Sequence, residues 1–182
     1  MIAVGIDPGT NKSGVVVFDN EAQAVTYSAE LANEDLLLSL RGGGPLDVND
    51  VDQVYVENIE AMGLAVGKTT FQTCIWIGRF LEAFAVLTGG EAHLVSRGDE
   101  KTVLCGAATF RNPETGKRKA VGDSQIRRAL IERFPGTGGG ATPQVGTKTK
   151  PGPLYGVSGH CWQALAVVVT GLEIGDERCS KN

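Results

Sequence analysis

Two acids close two apolar runs in this sequence, and a histidine opens a third. Ile2–Ile6 leads into Asp7, and Gln53–Val56 leads into Glu57. An acid at the end of a buried strand is costly unless it is paired, hydrogen-bonded or bound to a cation. If the two strands are neighbours, both carboxylates emerge at one end of a sheet, as a ligand pair for a hard divalent cation such as Mg²⁺. Such a cation takes few protein oxygens and keeps sites open for phosphate oxygens. Further on, Ser158-Gly159-His160-Cys161-Trp162-Gln163 begins an apolar helical pattern. His160 and Gln163 stand three apart, so one face near the start of that helix carries both. That face can turn a ring nitrogen and an amide oxygen towards the acids.

Each of these residues also has a plain structural reading. Asp7 can be a turn acid in Asp7-Pro8-Gly9-Thr10, Glu57 a strand-end charge meeting water, and His160 a helix-start residue with no ligand. Trp162, Leu165 and Val169 recur at helical spacing and read as core.

The elements that must hold these groups are an alternation of strands and helices. Ile2–Ile6, Gly14–Phe18 and Ala24–Ser28 read as strands, with the Asp7–Ser13 turn displaying Asp7 and Asp19-Asn20 making the next turn. A short helix follows over Asn33–Leu40, with Asn33 as its cap and Glu34 and Asp35 in its first turn. Gln53–Glu57 is a fourth strand and Ala92–Val95 a fifth, separated by a helix over Thr69–Leu87. Helical patterning returns at Lys101–Leu104, at Ser124–Phe134 and at Val157–Leu172. This order predicts an α/β fold, a mixed five-stranded sheet flanked by helices. One domain is expected over about residues 1–175, with a basic turn-rich insertion at about 107–122. A glycine- and proline-rich loop over 136–153 is expected to be mobile, and the tail 176–182 to be frayed.

With 182 residues and 42% apolar composition, the chain is long enough for one real core. No run approaches the roughly 18 apolar residues of a membrane span, and Asp7 interrupts any signal-peptide core. Cys74, Cys105, Cys161 and Cys179 lie far apart without metal-binding pairing, so reduced, mostly buried thiols and a cytoplasmic location are expected. The net charge of −4 argues against a polyanionic partner, but its distribution does not. Arg97–Lys150 carries 11 Lys and Arg against 5 Asp and Glu, a net of +6, while the remainder is at −10. Such asymmetry fits either one face prepared for a polyanion or a solvated basic loop.

At this point the sequence resembles a known family. Gly5-Ile6-Asp7-Pro8-Gly9-Thr10, Val56-Glu57, Lys101 ahead of a helix, and His160-x-x-Gln163-Ala164-Leu165-Ala166 are similar to the landmarks of the RuvC-type Holliday junction resolvases. The runs Lys101–Gly106, Asp123–Ile131 and Pro151–Val157 resemble the phage and prophage branch of that family. The resemblance covers about Ile2 to Thr170 and implies an RNase H-like fold, a homodimer, and Mg²⁺- or Mn²⁺-dependent nicking of four-way DNA junctions. It implies two metal ions per site, with Asp7 bridging them, Glu57 holding one, and His160 and Gln163 on the two catalytic positions of the last helix. Gln163 departs from the pattern, because an Asp is usual there. Without that charge, either metal affinity falls or another acid compensates, with Asp123 and Glu60 as candidates, or the neutral Gln oxygen completes the shell through water. Lys101, Arg111, Lys117, Arg118, Lys119, Arg127 and Arg128 would neutralise backbone phosphates. The helix carrying Phe71, Ile75 and Phe80 would supply the dimer surface or else core. Met62 or Leu64, in a loop over Glu60–Gly67, would wedge between bases at the junction.

Two other readings compete. Asp7-Pro8-Gly9-Thr10-Asn11 also resembles the phosphate hairpin of actin-like kinases and ATPases, but their second lobe and second hairpin are not found. Gln163 in place of an acid fits a non-catalytic protein that binds branched DNA. Neither membrane nor small-molecule cofactor is expected.

Overall fold

The computed structural model describes residues 1–60, 66–89 and 92–179. Met62 and Leu64 lie outside them. Strands β1 (Ile2–Asp7), β2 (Lys12–Asp19) and β3 (Ala24–Ala32) form an antiparallel meander, followed by helix α1 (Asn33–Ser39). Strand β4 (Gln53–Asn58), helix α2 (Lys68–Thr88) and strand β5 (Ala92–Ser96) come next. Helix α3 (Arg97–Cys105), the small strands β6 (Thr109–Arg111) and β7 (Arg118–Ala120), and helices α4 (Asp123–Arg133) and α5 (Cys161–Cys179) complete the chain. The five-stranded sheet has the order β3-β2-β1-β4-β5, with β1, β4 and β5 parallel. All five expected strands are present, in the mixed α/β architecture the pattern predicts.

The period of two along each strand sorts side chains onto two faces. Val4, Ile6, Val15, Val54 and Val56 pack under α1 and α2, while Ala3, Val16, Phe18, Tyr55 and Val95 pack against α5. Gly5 and Gly14 make the second contact unusually close. A Cβ on Gly5 would stand 2.1 Å from the Ala164 carbonyl oxygen, and one on Gly14 2.7 Å from that of His160. The start of α5 therefore lies directly on the β1–β2 pair.

Several boundaries differ from the sequence reading. Asn33 does not cap α1: Ala32 holds that position, and the buried Asn33 amide is used elsewhere. Helix α3 begins at Arg97 rather than near Lys101, fixed by a capping box between Ser96 and Asp99. Helix α5 begins after His160 rather than at Val157, and runs to Cys179 rather than Leu172. Its later turns are tied back by an ion pair between Glu173 and Arg133. The basic insertion is a β-hairpin, β6–β7, whose turn is closed by the Asn112 N–H donating to the Lys117 carbonyl and the Gly116 N–H donating to the Asn112 carbonyl. The 136–153 segment, read from composition as mobile, carries its own backbone hydrogen-bond net. Gly138 N–H donates to Pro143, Gly152 N–H to Val145 and Leu154 N–H to Gln144.

Helix α2 buries Ile77, Phe80, Ala83 and Phe84 but leaves Phe71 and Ile75 60% and 62% exposed. Phe80 is thus core, and the other two form a surface. The cysteines also divide: Cys161 is buried, Cys105 half-buried and Cys74 exposed, all three free thiols. Among the described residues no helix is long and apolar enough to cross a membrane.

Candidate active site

The two strand-end acids are delivered together by the parallel pairing of β1 and β4. Gly5 faces Tyr55 and Ile6 faces Val56 in register, so Asp7 and Glu57 follow as the next residues of adjacent strands. Both continue the alternation onto the α5 side, where Gly5 and Tyr55 point. β5 runs parallel beside β4 and passes into α3 at Arg97. The carboxyl ends of three neighbouring strands thus present Asp7, Glu57 and Arg97 to one cleft, completed by Asp123, Gly159, His160 and Gln163.

The hairpin holding Asp7 is pinned from behind. Ser13 Oγ donates to Asn33 Oδ1 at 2.8 Å, and Asn33 Nδ2 donates to the Gly9 carbonyl at 2.9 Å. The Asn33 backbone N–H reaches the Asn11 carbonyl at 2.9 Å. His160 is fixed from its own side. Its carbonyl accepts the N–H groups of Gln163 and Ala164, opening α5, and its own N–H donates to Glu30 Oε1 at 3.2 Å. The His160 ring is 74% exposed, with Nδ1 3.4 Å from Asp7 Oδ2. Gln163 sits half-buried in the first turn of α5 on the same cleft.

Electrostatics mark Glu57 as unusual. Burial, the nearby Glu100 carboxylate and a hydrogen bond with Asp7 together push its pKa up to about 8, against the opposing pull of Arg97.

The acids proposed to offset the neutral Gln163 lie differently from one another. Asp123, the first residue of α4, lines the cleft but is bound to Arg97 Nη2. Glu60 is exposed and outside the cleft lining, near the first turn of α3. Sequence reasoning missed three residues. Arg97 Nη1 donates to Glu100 Oε2 at 2.5 Å and stands 3.8 Å from Glu57 Oε1. Glu100 is 0% exposed, and its Oε1 has no hydrogen-bond partner. Glu30 supports His160 as described. The capping signature Ser96-x-x-Asp99 would have located Arg97 at the sheet end.

The basic residues form three groups. Arg111 and Arg118 face one another across β6–β7, with Lys119 opposite Phe110 and Lys117 in the turn, all exposed. Lys101 is half-buried on α3, one turn beyond Arg97. On α4 the Arg127 guanidinium lies 4.6 Å from the Trp162 ring centroid, and Arg128 pairs with Glu132 at 3.5 Å.

Among the described residues, no group of three or more His, Cys, Asp and Glu side chains is placed to hold a metal ion. Fewer protein donors suffice for a cation that keeps most of its shell for other ligands. Two adjacent carboxylates beside an imidazole match a hard divalent cation that keeps most of its coordination for water and phosphate.

No protein-family model matches the sequence, and no curated protein is similar to it. Solved structures do match. Thermus thermophilus RuvC in complex with Holliday junction substrate superposes with a TM-score of 0.60 at 14% identity, over 93% of this chain and 92% of that one. The Thermus thermophilus RuvC structure gives a TM-score of 0.57 at 16% identity over the same shares. The mixed five-stranded sheet with its flanking helices is thus the RNase H-like fold that RuvC has.

Proposed function

We propose that this protein is a divalent-metal-dependent endodeoxyribonuclease that nicks four-way DNA junctions and related branched DNA. The observation that carries this reading is the Asp7–Glu57 carboxylate pair on adjacent parallel strand ends, with His160 Nδ1 3.4 Å from Asp7. The pair stands on a fold shared with a RuvC that was solved on a Holliday junction. Asp7 and Glu57, with His160 beside them, would hold Mg²⁺ or Mn²⁺, which supplies Lewis-acid activation of a phosphodiester. Burial and the neighbouring Glu100 and Asp7 carboxyls disfavour charge on Glu57, so a cation placed beside it is favoured. The exposed His160 ring can take up or return a proton at Nδ1 while Asp7 holds its orientation. Gln163 places a neutral amide on the same face. Arg111 and Arg118, like charges set opposite each other, repel in the free protein and are stabilised by an external anion such as a DNA phosphate.

A junction has two symmetry-related strands, and a two-fold dimer matches it. The exposed Phe71 and Ile75 on α2 offer the apolar surface for a second copy. The neutral Gln163 favours a second reading, a branched-DNA-binding protein without cleavage. Synthetic four-way junction, fork and linear duplex, incubated with and without Mn²⁺, separate the two. Metal-dependent nicks that disappear in Asp7→Asn support the nuclease; tight junction binding with no nicks at any metal concentration overturns it.

A further inference from the structure

The cleft contains a cation of its own. Arg97 reaches into it with a guanidinium that touches Glu100, Glu57 and Asp123 together. We propose that this guanidinium fills the position of a second cation, so that the active site takes one divalent ion rather than two. The inference rests on the metal-dependent reading above and defines the charge arrangement of that same site.

Arg97 is anchored by a group that cannot easily let it go. Glu100 is wholly buried one turn along α3, and its Oε2 accepts from Arg97 Nη1 at 2.5 Å. Withdrawing the guanidinium would leave Glu100 Oε2 without its donor, beside an Oε1 that already has none, in the protein interior. The guanidinium is planar, permanently charged and able to serve several carboxylates at once, which an ammonium does less well.

The acids that a second ion would need are already engaged. Asp123 is bound to Nη2, and Glu57 Oε1 lies 3.8 Å from Nη1. At the remaining face of the cleft Gln163 brings no charge. What stays free of Arg97 is Asp7, which lies on the strand end beside Glu57 with His160 Nδ1 at 3.4 Å. A divalent ion settles there on one or two carboxylates and fills its shell with water and phosphate. A second dication beside Glu57 would meet the fixed positive charge of Arg97 at close range.

Counting bound Mn²⁺ tests this without turnover. Mn²⁺ is titrated into the full chain, and the electron paramagnetic resonance signal of the free ion reads the bound equivalents. The expected result is one equivalent for the parent protein and at least a tenfold weaker affinity in Asp7→Asn. Arg97→Gln combined with Glu100→Gln removes both charges together and is expected to bind two. Arg97→Gln alone, whose amide can still donate to Glu100, is a second route to the same stoichiometry, with circular dichroism reporting that each variant is folded. Two equivalents in the parent, or one in the folded variants, overturn the proposal while leaving the nuclease reading intact. No Mn²⁺ binding by the parent at all overturns the metal-dependent reading itself, and this inference with it.

Discussion

Glu100→Gln is expected to stabilise the protein at neutral and higher pH. Burial is the largest influence on this side chain and raises its pKa from 4.5 to about 7, although the Arg97 ion pair pulls the other way. Asp7 and Asp123 push it further up. The folded state therefore holds a proton that the unfolded chain has released, over the window between pH 4.5 and about pH 7. Where the folded state binds more protons, stability falls as pH rises. A difference of about 2.5 pKa units corresponds to about 3 kcal/mol lost across that window. The side chain is 0% exposed, so solvent screening does not discount it. Gln imitates the protonated acid in shape, keeps an oxygen for Arg97, and never ionises. The variant should match the parent near pH 4.5 and exceed it by about 3 kcal/mol at pH 8, a rise of about 6–12 °C in Tm for a chain of this length. Urea unfolding and thermal melts at pH 4.5, 6, 7 and 8 read the difference directly. A variant less stable than the parent at pH 8 would refute the reasoning, because the ion pair would then outweigh the burial.

Asn33→Ala removes the amide that holds Ser13 and the Gly9 carbonyl, and should cost about 2 kcal/mol in urea unfolding. Nicking should fall more than the loss of folded protein explains, because the hairpin that carries Asp7 loosens. Gly14→Ala places a methyl 2.7 Å from the His160 carbonyl oxygen, and should lower stability by about 1–3 kcal/mol and displace His160 from Asp7. An unchanged melt would show that α5 can slide away freely. Arg111→Ala with Arg118→Ala should leave the melt unchanged and reduce the salt slope of junction binding by about 2, as expected when two phosphates are no longer neutralised. A salt slope equal to the parent's would place these residues off the DNA.

Asp7 and Glu57 were legible as candidates because each ends an apolar strand, but their common face depends on the β1–β4 register, which leaves no mark in the pattern of either strand. His160 was legible as a residue at the start of a helix, although the helix begins one position after it. Arg97 was not, since counting it among the basic residues of 97–150 hides its direction. Only the Ser96–Asp99 capping box, which starts α3 at the sheet end, turns it inward. Glu100 was invisible for a related reason: an acid on a short polar helix reads as solvent-facing, and tertiary packing alone buries it. Asn33 shows the opposite failure. Its type favours a helix cap, but its amide gains more from two hydrogen bonds to the β1–β2 hairpin. The 136–153 segment has a loop composition, and its order comes from hydrogen bonds between backbone groups that leave no periodic trace in sequence.

The loop that ends at Pro153 also bears on how the sheet avoids pairing edge to edge with another chain. A sheet has two outer strands, and each offers unpaired amides and carbonyls to any passing chain. β5, on one border, is only five residues long and makes a poor template. β3, on the other, extends over nine residues and would be a good one. The Pro153 carbonyl takes the Val25 N–H at 2.8 Å, occupying the start of that border with the chain's own backbone. Shortening the loop would therefore be felt first as a tendency to associate through β3, well away from the acids.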